Sequence, residues 1–211
     1  MFAIETDQEY QVTTTRGTSL TLGNYLSYYY HKKGDGQMTD WIAWFRYQLQ
    51  ASADGFVWAF SQIHPALREN LPPAPDYLGT WLPARHVWHV TEYERYQVIP
   101  SMNQWLGGSM PNEDTWLDDD NAWAKVQNRG FDELTSAFRS VRQQQIELLD
   151  KLINADWNTP RETLWGHKPL SMIVTKTFQH TYEHGDTLLR MGLWWEEIVE
   201  EEARKSGNAG S

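Results

Sequence analysis

Apolar positions along this chain recur with helical rather than strand spacing. From Thr39, the segment TDWIAWFRYQLQASADGFVWAFSQI sets Trp41, Trp44, Phe45, Gln48, Ser52, Phe56, Ala59 and Ile63 near a 3.6-residue period. This predicts a long first helix with Thr39 or Asp40 as N-cap and Gly55 as its weak point. After the proline-rich loop LPPAPDYLG, a second helix is predicted from Leu82 to about Trp105. Thr80 would cap it, Pro83 is tolerated in its first turn, and Pro100 bends or interrupts it.

The clearest period lies in FDELTSAFRSVRQQQIELLDKLINADW, where Phe131, Leu134, Phe138, Val141, Gln145, Leu148 and Leu152 alternate by three and four to give a third helix. A fourth follows from Leu170 to about Met191, and LWWEEIVEEEARK adds a final acidic helical segment. The Gly107 to Asn128 connection carries a short helical stretch around Asp119 to Gln127, and its three consecutive Asp read as a solvated turn. No internal repeat and no set of period-two strands emerges. The expected fold is all-α: a four-helix bundle over residues 38–200, an N-terminal extension over 1–37 packed on it, and a tail over 201–211. The extension is expected to hold one short helix near Leu20 to His31.

Composition refines this picture in three ways. Twelve Trp, ten Tyr and seven Phe supply the core with bulky amphipathic rings, although the mean hydropathy is only −0.65. The net charge of −10, from 28 acidic and 18 basic residues with no basic cluster, argues against nucleic acid as partner. There is no run of about 20 apolar residues and no signal-like start, so a soluble, cytoplasmic protein with no membrane partner is expected. The absence of cysteine means that any metal must be held by His, Asp or Glu.

That last point directs attention to FQHTYEHGDTLL. His180 and His184 lie one turn and about 40° apart on the fourth predicted helix, so both imidazoles could reach one ion. They also fall in the inward row Ile173, Thr177, His180, His184, Leu188 and Met191. A bare pair at this spacing is equally compatible with buried histidines satisfied by backbone or carboxylate. A third ligand would decide for a metal, and RHVWHVTEYE on the second helix offers His89, on a face with Arg85, Tyr93 and Tyr96, with His86 in reserve.

Three neutral imidazoles would leave coordination positions open, as in catalytic sites, and would suit Zn, Ni or Fe(II). Glu183 and Asp186 beside the pair, and Glu92 beside His89, are candidates to hold the far ring nitrogens, while each taken singly reads more readily as a plain helix-surface acid. HTYEH also fits the inverted zinc-protease pattern H-x-x-E-H with Glu183 as base, but only 27 residues follow His184 to supply another ligand. No E-x-x-H occurs, which disfavours a carboxylate-bridged di-iron bundle. His31, His64 and His167 read as surface residues.

GTWLPARHVWHVTEYERY resembles the second-helix segment of the DinB/YfiT-like superfamily. LLDKLINADWNTPRETLWGHKPLSMIVTKTFQHTYEHGDTLLRMG is similar to its closing half, with a D-W turn, a W-G pair and a final H-x-x-x-H helix. The resemblance covers about residues 39 to 192. It implies an up-down-down-up four-helix bundle, commonly a homodimer, with a divalent metal on His89, His180 and His184. It also implies a metal-dependent transferase or hydrolase acting on a small-molecule substrate, through a low-molecular-weight thiol in some relatives. Tyr93, Glu183 and Asp186 are then the candidate catalytic groups. The rival from another class is a non-catalytic bundle used for binding or dimerisation, and the extension and the Gly107 to Asn128 connection do not align with the family pattern.

Overall fold

The computed structural model describes residues 11–13, 19–21, 38–109 and 120–208. The chain divides into two compact units, Met1–Trp41 and Ile42–Ser211. In the first unit, strands β1 (Gln11–Thr13) and β2 (Ser19–Thr21) pair antiparallel with Val12 opposite Leu20. Leu20 and Thr21 therefore belong to a strand, and the rest of the helix predicted up to His31 lies outside the described residues.

Helix α1 (Met38–Ser61) has Thr39 and Asp40 inside its first turn and no break at Gly55. The second unit is mostly helical. It contains α2 (Pro75–Leu78), α3 (Pro83–Tyr93), α4 (Ile99–Asn103), α5 (Asp120–Ala124), α6 (Phe131–Lys151) and α7 (Leu170–Asn208). A hairpin of β3 (Arg161–Thr163) and β4 (Gly166–Lys168) joins α6 to α7, where sequence spacing predicted no strand. Gly166 sits at φ 78°, in the left-handed region that a side chain rarely adopts, while the Thr163 hydroxyl closes the turn by donating to the Gly166 carbonyl at 2.7 Å.

Between α3 and α4, residues Glu94–Val98 form one wide π turn in which the Ile99 N–H reaches back to the Glu94 carbonyl. Pro100 has no N–H to give to the carbonyl four residues before it, so the ladder loosens just upstream of the ring. The second predicted helix is thus present to Leu106, but it is interrupted before Pro100 rather than at it. The acidic segment predicted as a separate piece is the unbroken continuation of α7. Gly192 permits this close packing, since a Cβ there would lie 3.1 Å from that of Gln62.

Contacts fix the helix directions pair by pair. Asp54 meets Arg139 at 2.8 Å and Phe60 stacks on Phe131 at 5.1 Å, while Arg46 at the other end meets Asp150, so α1 and α6 run antiparallel. Phe45 packs near Phe178 and Gln48 on Tyr182, while Phe56 faces Gly185, so α1 and α7 run parallel. Tyr93 meets His180 and His86 meets His184, so α3 opposes α7.

Two apolar clusters fill the interior. One gathers Phe56, Phe60, Val87, Trp88, Phe138, Leu188 and Met191; the other gathers Phe45, Leu49, Val98, Met102, Leu149, Trp157 and Ile173. Between these sequence neighbourhoods each long helix contributes polar residues: Ser52 from α1, Glu94 after α3, Arg142 and Gln145 from α6, and Thr177, His180, Thr181 and His184 from α7. The expected D-W turn is present. Asp156 accepts from the backbone N–H groups of Asn158 and Thr159, and Trp157 stacks on Phe45 at 5.3 Å.

Candidate metal centre

Two helices deliver four histidines to one place. α3 presents His86 and His89 one turn apart on its buried side, and α7 presents His180 and His184 one turn apart facing them. Ring centroids stand 5.2 Å apart for His89 and His180, 4.8 Å for His89 and His184, 4.6 Å for His180 and His184, and 5.1 Å for His86 and His184. His86 and His89 are buried, and the two α7 rings are half-buried.

The nitrogens are more informative than the rings. His180 Nε2 lies 3.3 Å from His89 Nε2 and 3.2 Å from His184 Nε2, and one ligand atom from each of the three histidines lies within 4.8 Å of the others. A neutral imidazole nitrogen carries either one proton or one lone pair in the ring plane. His180 Nε2 can therefore make a good hydrogen bond to only one of its two neighbours. A tetrahedral ion bound at 2.0–2.1 Å would separate its ligand nitrogens by about 3.3–3.4 Å, which matches the two short separations.

Electrostatics keep the His180 and His86 rings uncharged. Burial first, then His184 and His89, then Lys176 and Arg142, push the His180 imidazole down to about 2. Burial, followed by His184, His89, Arg85 and Arg190, holds His86 well below the ordinary histidine range. Neutral rings are the form that ligates metals. The His180 Nδ1 and His86 Nε2 atoms are buried with no hydrogen-bond partner among the described residues.

Aromatic walls enclose the cluster. Trp81, at the entry to α3, stands 4.9 Å from His89 and lies nearly parallel to His184 at 5.9 Å, with the Arg85 guanidinium 4.6 Å from its own ring centre. Arg85 is in turn held by Asp120 of α5 at 2.6 Å. Tyr93 is buried with its ring 4.0 Å from His180, and Trp165, at the tip of the β3–β4 hairpin, covers Tyr93 at 5.7 Å. Burial, then the charges of Glu94 and Glu183, push the Tyr93 phenol up, against a hydrogen bond with Trp165, so it stays protonated and can donate.

The structure thus brings together His89, His180, His184 and Tyr93, and adds His86 as a direct neighbour of His184. The carboxylates are placed differently. Glu183 is exposed and engaged by Gln179 and by Lys176, the latter at 3.8 Å. Asp186 is exposed and pairs with Arg190 at 3.1 Å, and Glu92 pairs with Arg95. Glu94, two residues further on, is the fully buried acid. Tyr96, expected on the His89 face, is 36% exposed, because the π turn rotates it outward. His64 caps a short turn by accepting from the Ala66 N–H, His167 is 69% exposed, and His31 lies outside the described residues.

Trp81 and Trp165 were missed by periodicity because each stands outside the helices, in a loop or a hairpin turn. The W-G pair was the one signal for Trp165. Compared with known proteins, the chain matches no family model, no curated protein and no solved structure. None of the described helices is long and apolar enough to cross a membrane.

Proposed function

We propose that this chain is a mononuclear divalent-metal protein in which His89, His180 and His184 hold the ion through Nε2. The observation that carries this reading is the pair of 3.2 and 3.3 Å separations around His180 Nε2, which one shared proton cannot satisfy. Zn, Ni and Fe(II) all suit such a donor set. A divalent ion on three neutral imidazoles lowers the pKa of a bound water or thiol, which makes a nucleophile available at neutral pH.

The reaction class we propose is a metal-dependent transfer or hydrolysis on a small molecule, with a low-molecular-weight thiol as the candidate co-substrate. In that reading the Trp81 and Trp165 rings would exclude water and pack against the substrate. The Tyr93 O–H would donate a hydrogen bond to charge developing on it. The inverted zinc-hydrolase reading needs Glu183 as base, and that carboxylate is exposed and engaged by Gln179 and Lys176.

The fold we propose is a DinB-like four-helix bundle. Taking α1 as up, the pairwise contacts make α3 and α6 down and α7 up, which supports the up-down-down-up order. Homodimer formation is part of the same proposal, and the exposed Trp58, Leu193 and Trp194 are side chains that such pairing would cover.

Metal analysis of the purified protein, with titration of Zn, Ni and Fe(II), tests the central claim. One ion per chain is expected, with tight binding lost in each of His89→Ala, His180→Ala and His184→Ala. Wild-type protein that binds no ion, or binding unchanged in His89→Ala, would overturn it.

A further inference from the structure

The fourth histidine has a different relation to the cluster. His86 Nδ1 lies 2.7 Å from His184 Nδ1. That is too close for two ligands of one ion, which stand about 3.3–3.4 Å apart when bound at 2.0–2.1 Å. It is the separation of a hydrogen bond with one proton between the nitrogens. Two classes of nitrogen contact therefore meet on a single ring: His184 shares its Nδ1 with His86 and turns its Nε2 to His180 at 3.2 Å.

We propose that His86 is a positioning residue that sets the tautomer of His184 for metal binding. The inference rests on the three-histidine reading given above. A neutral imidazole has one proton to place. If His86 donates, His184 must carry its own proton on Nε2, the atom facing His180, and it cannot ligate there. If His184 donates, its Nε2 carries the lone pair that an ion needs, and His86 keeps its proton on Nε2. That nitrogen is buried without a hydrogen-bond partner among the described residues, so the second arrangement leaves a buried N–H unpaired.

With no ion bound, the two arrangements compete. With an ion bound, one remains, because coordination of His184 Nε2 compensates for the unpaired N–H of His86. Trp81 covers both rings, 5.4 Å from His86 and 5.9 Å from His184, and limits access of water that would compete for the shared proton.

The choice of an imidazole as this partner has a chemical consequence. Metal-bound histidines usually donate their far nitrogen to a carboxylate or a carbonyl. A carboxylate would bring a negative charge that offsets part of the ion's own, whereas neutral His86 brings none. The ion keeps its full charge for polarising whatever binds at its open positions.

The test is Zn affinity of wild type, His86→Phe, His86→Asn and His180→Ala, together with ring-nitrogen NMR of the Zn-loaded wild type. Asn can present a side-chain oxygen where His86 presents Nδ1; Phe keeps the bulk and removes the acceptor. The expected result is an affinity about 10- to 100-fold weaker for His86→Phe, with most of it regained in His86→Asn. In the wild-type spectrum, the His184 proton should sit on Nδ1, with a coupling across the hydrogen bond to His86 Nδ1.

A His86→Phe protein that binds Zn as wild type does, while His180→Ala does not, overturns this inference and leaves the three-histidine reading intact. A wild-type spectrum with His86 itself metal-bound, or with the His184 proton on Nε2, overturns the inference even if His86→Phe fails to fold. Absence of Zn binding by wild type would overturn both.

Discussion

Two buried polar clusters lie on the same helices, and they differ in how completely their hydrogen bonds are made. In the first, Arg142 uses all five of its N–H groups. Nε and Nη2 donate to the Glu94 carboxylate, Nη1 donates to the Leu49 carbonyl and the Ser52 hydroxyl, and Nη2 also reaches the Thr181 hydroxyl. Gln145 Nε2 donates to the remaining side of Glu94 at 2.6 Å, leaving only its own Oε1 without a partner among the described residues. In the second, the histidine cluster one residue along α7 from Thr181, His180 Nε2 faces two ring nitrogens at 3.2 and 3.3 Å and can make a good hydrogen bond to only one of them. A closed network fastens helices together; one whose ring nitrogens converge at the separations of ion ligands is built to receive something. The two are joined through Thr181 and His180, so the first holds the backbone that aims the second.

The largest effect that would break this contrast is at Arg142. Removing one member of a buried ion pair leaves the other charged and unpaired, at a cost of about 3–5 kcal/mol. Arg142→Met should therefore lower unfolding stability by that amount in urea denaturation. Adding Glu94→Leu to it should restore much of the loss, because the stranded carboxylate is gone. A single variant that costs under about 1 kcal/mol would mean that the network is not what clamps α6 to the π turn.

At the histidines the expectation reverses. His180→Leu removes a ring whose Nδ1 has no partner among the described residues, so the metal-free protein should change by no more than about 1 kcal/mol. Metal is what should matter there. An ion at 100 times its Kd stabilises the wild-type protein by about 2.7 kcal/mol, and His180→Leu should show none of this shift in thermal denaturation. Equal shifts in both proteins would place the bound ion elsewhere.

How far each region could be read from sequence follows the same division. The stripe of α6 was legible because Leu134, Phe138, Val141 and Leu148 are separated by polar residues, and each is buried as its phase requires. The apolar spacing of α1 lies slightly out of phase with its buried face: Trp44 is 40% exposed, while Ile42, Leu49, Ala53 and Phe60 are core. Trp is amphipathic, so its position reports the inward face poorly. His180 and His184 were legible because they interrupt an apolar row. Arg142 and Glu94 were not, since charged residues are rarely buried, and these two find each other across 48 positions of sequence. Spacing alone makes His86 a spare ligand, because it gives its place on the helix and nothing about the nitrogen 98 positions away that it meets.

The smallest effect comes from the exposed counterpart of the buried pair. Arg139, one turn before Arg142 on α6, reaches Asp54 of α1 at 2.8 Å, but the two side chains are 48% and 53% exposed. The Asp54 carboxyl is held below its ordinary value of 3.8 by the Gln50 hydrogen bond first and by Arg139, with slight burial acting the other way. A depressed carboxylate contributes stability that is present above its unfolded value near 3.8 and disappears as pH falls through the lower folded value. Water and salt screen the pair, so Asp54→Asn should cost under about 0.5 kcal/mol at pH 7, less in 1 M salt, and nothing at about pH 2. The cost of Arg142→Met should barely respond to salt, because no solvent reaches Glu94. If Asp54→Asn cost as much as Arg142→Met, burial would not be what separates the two pairs, and the clamp between α1 and α6 would have to be sought at the surface.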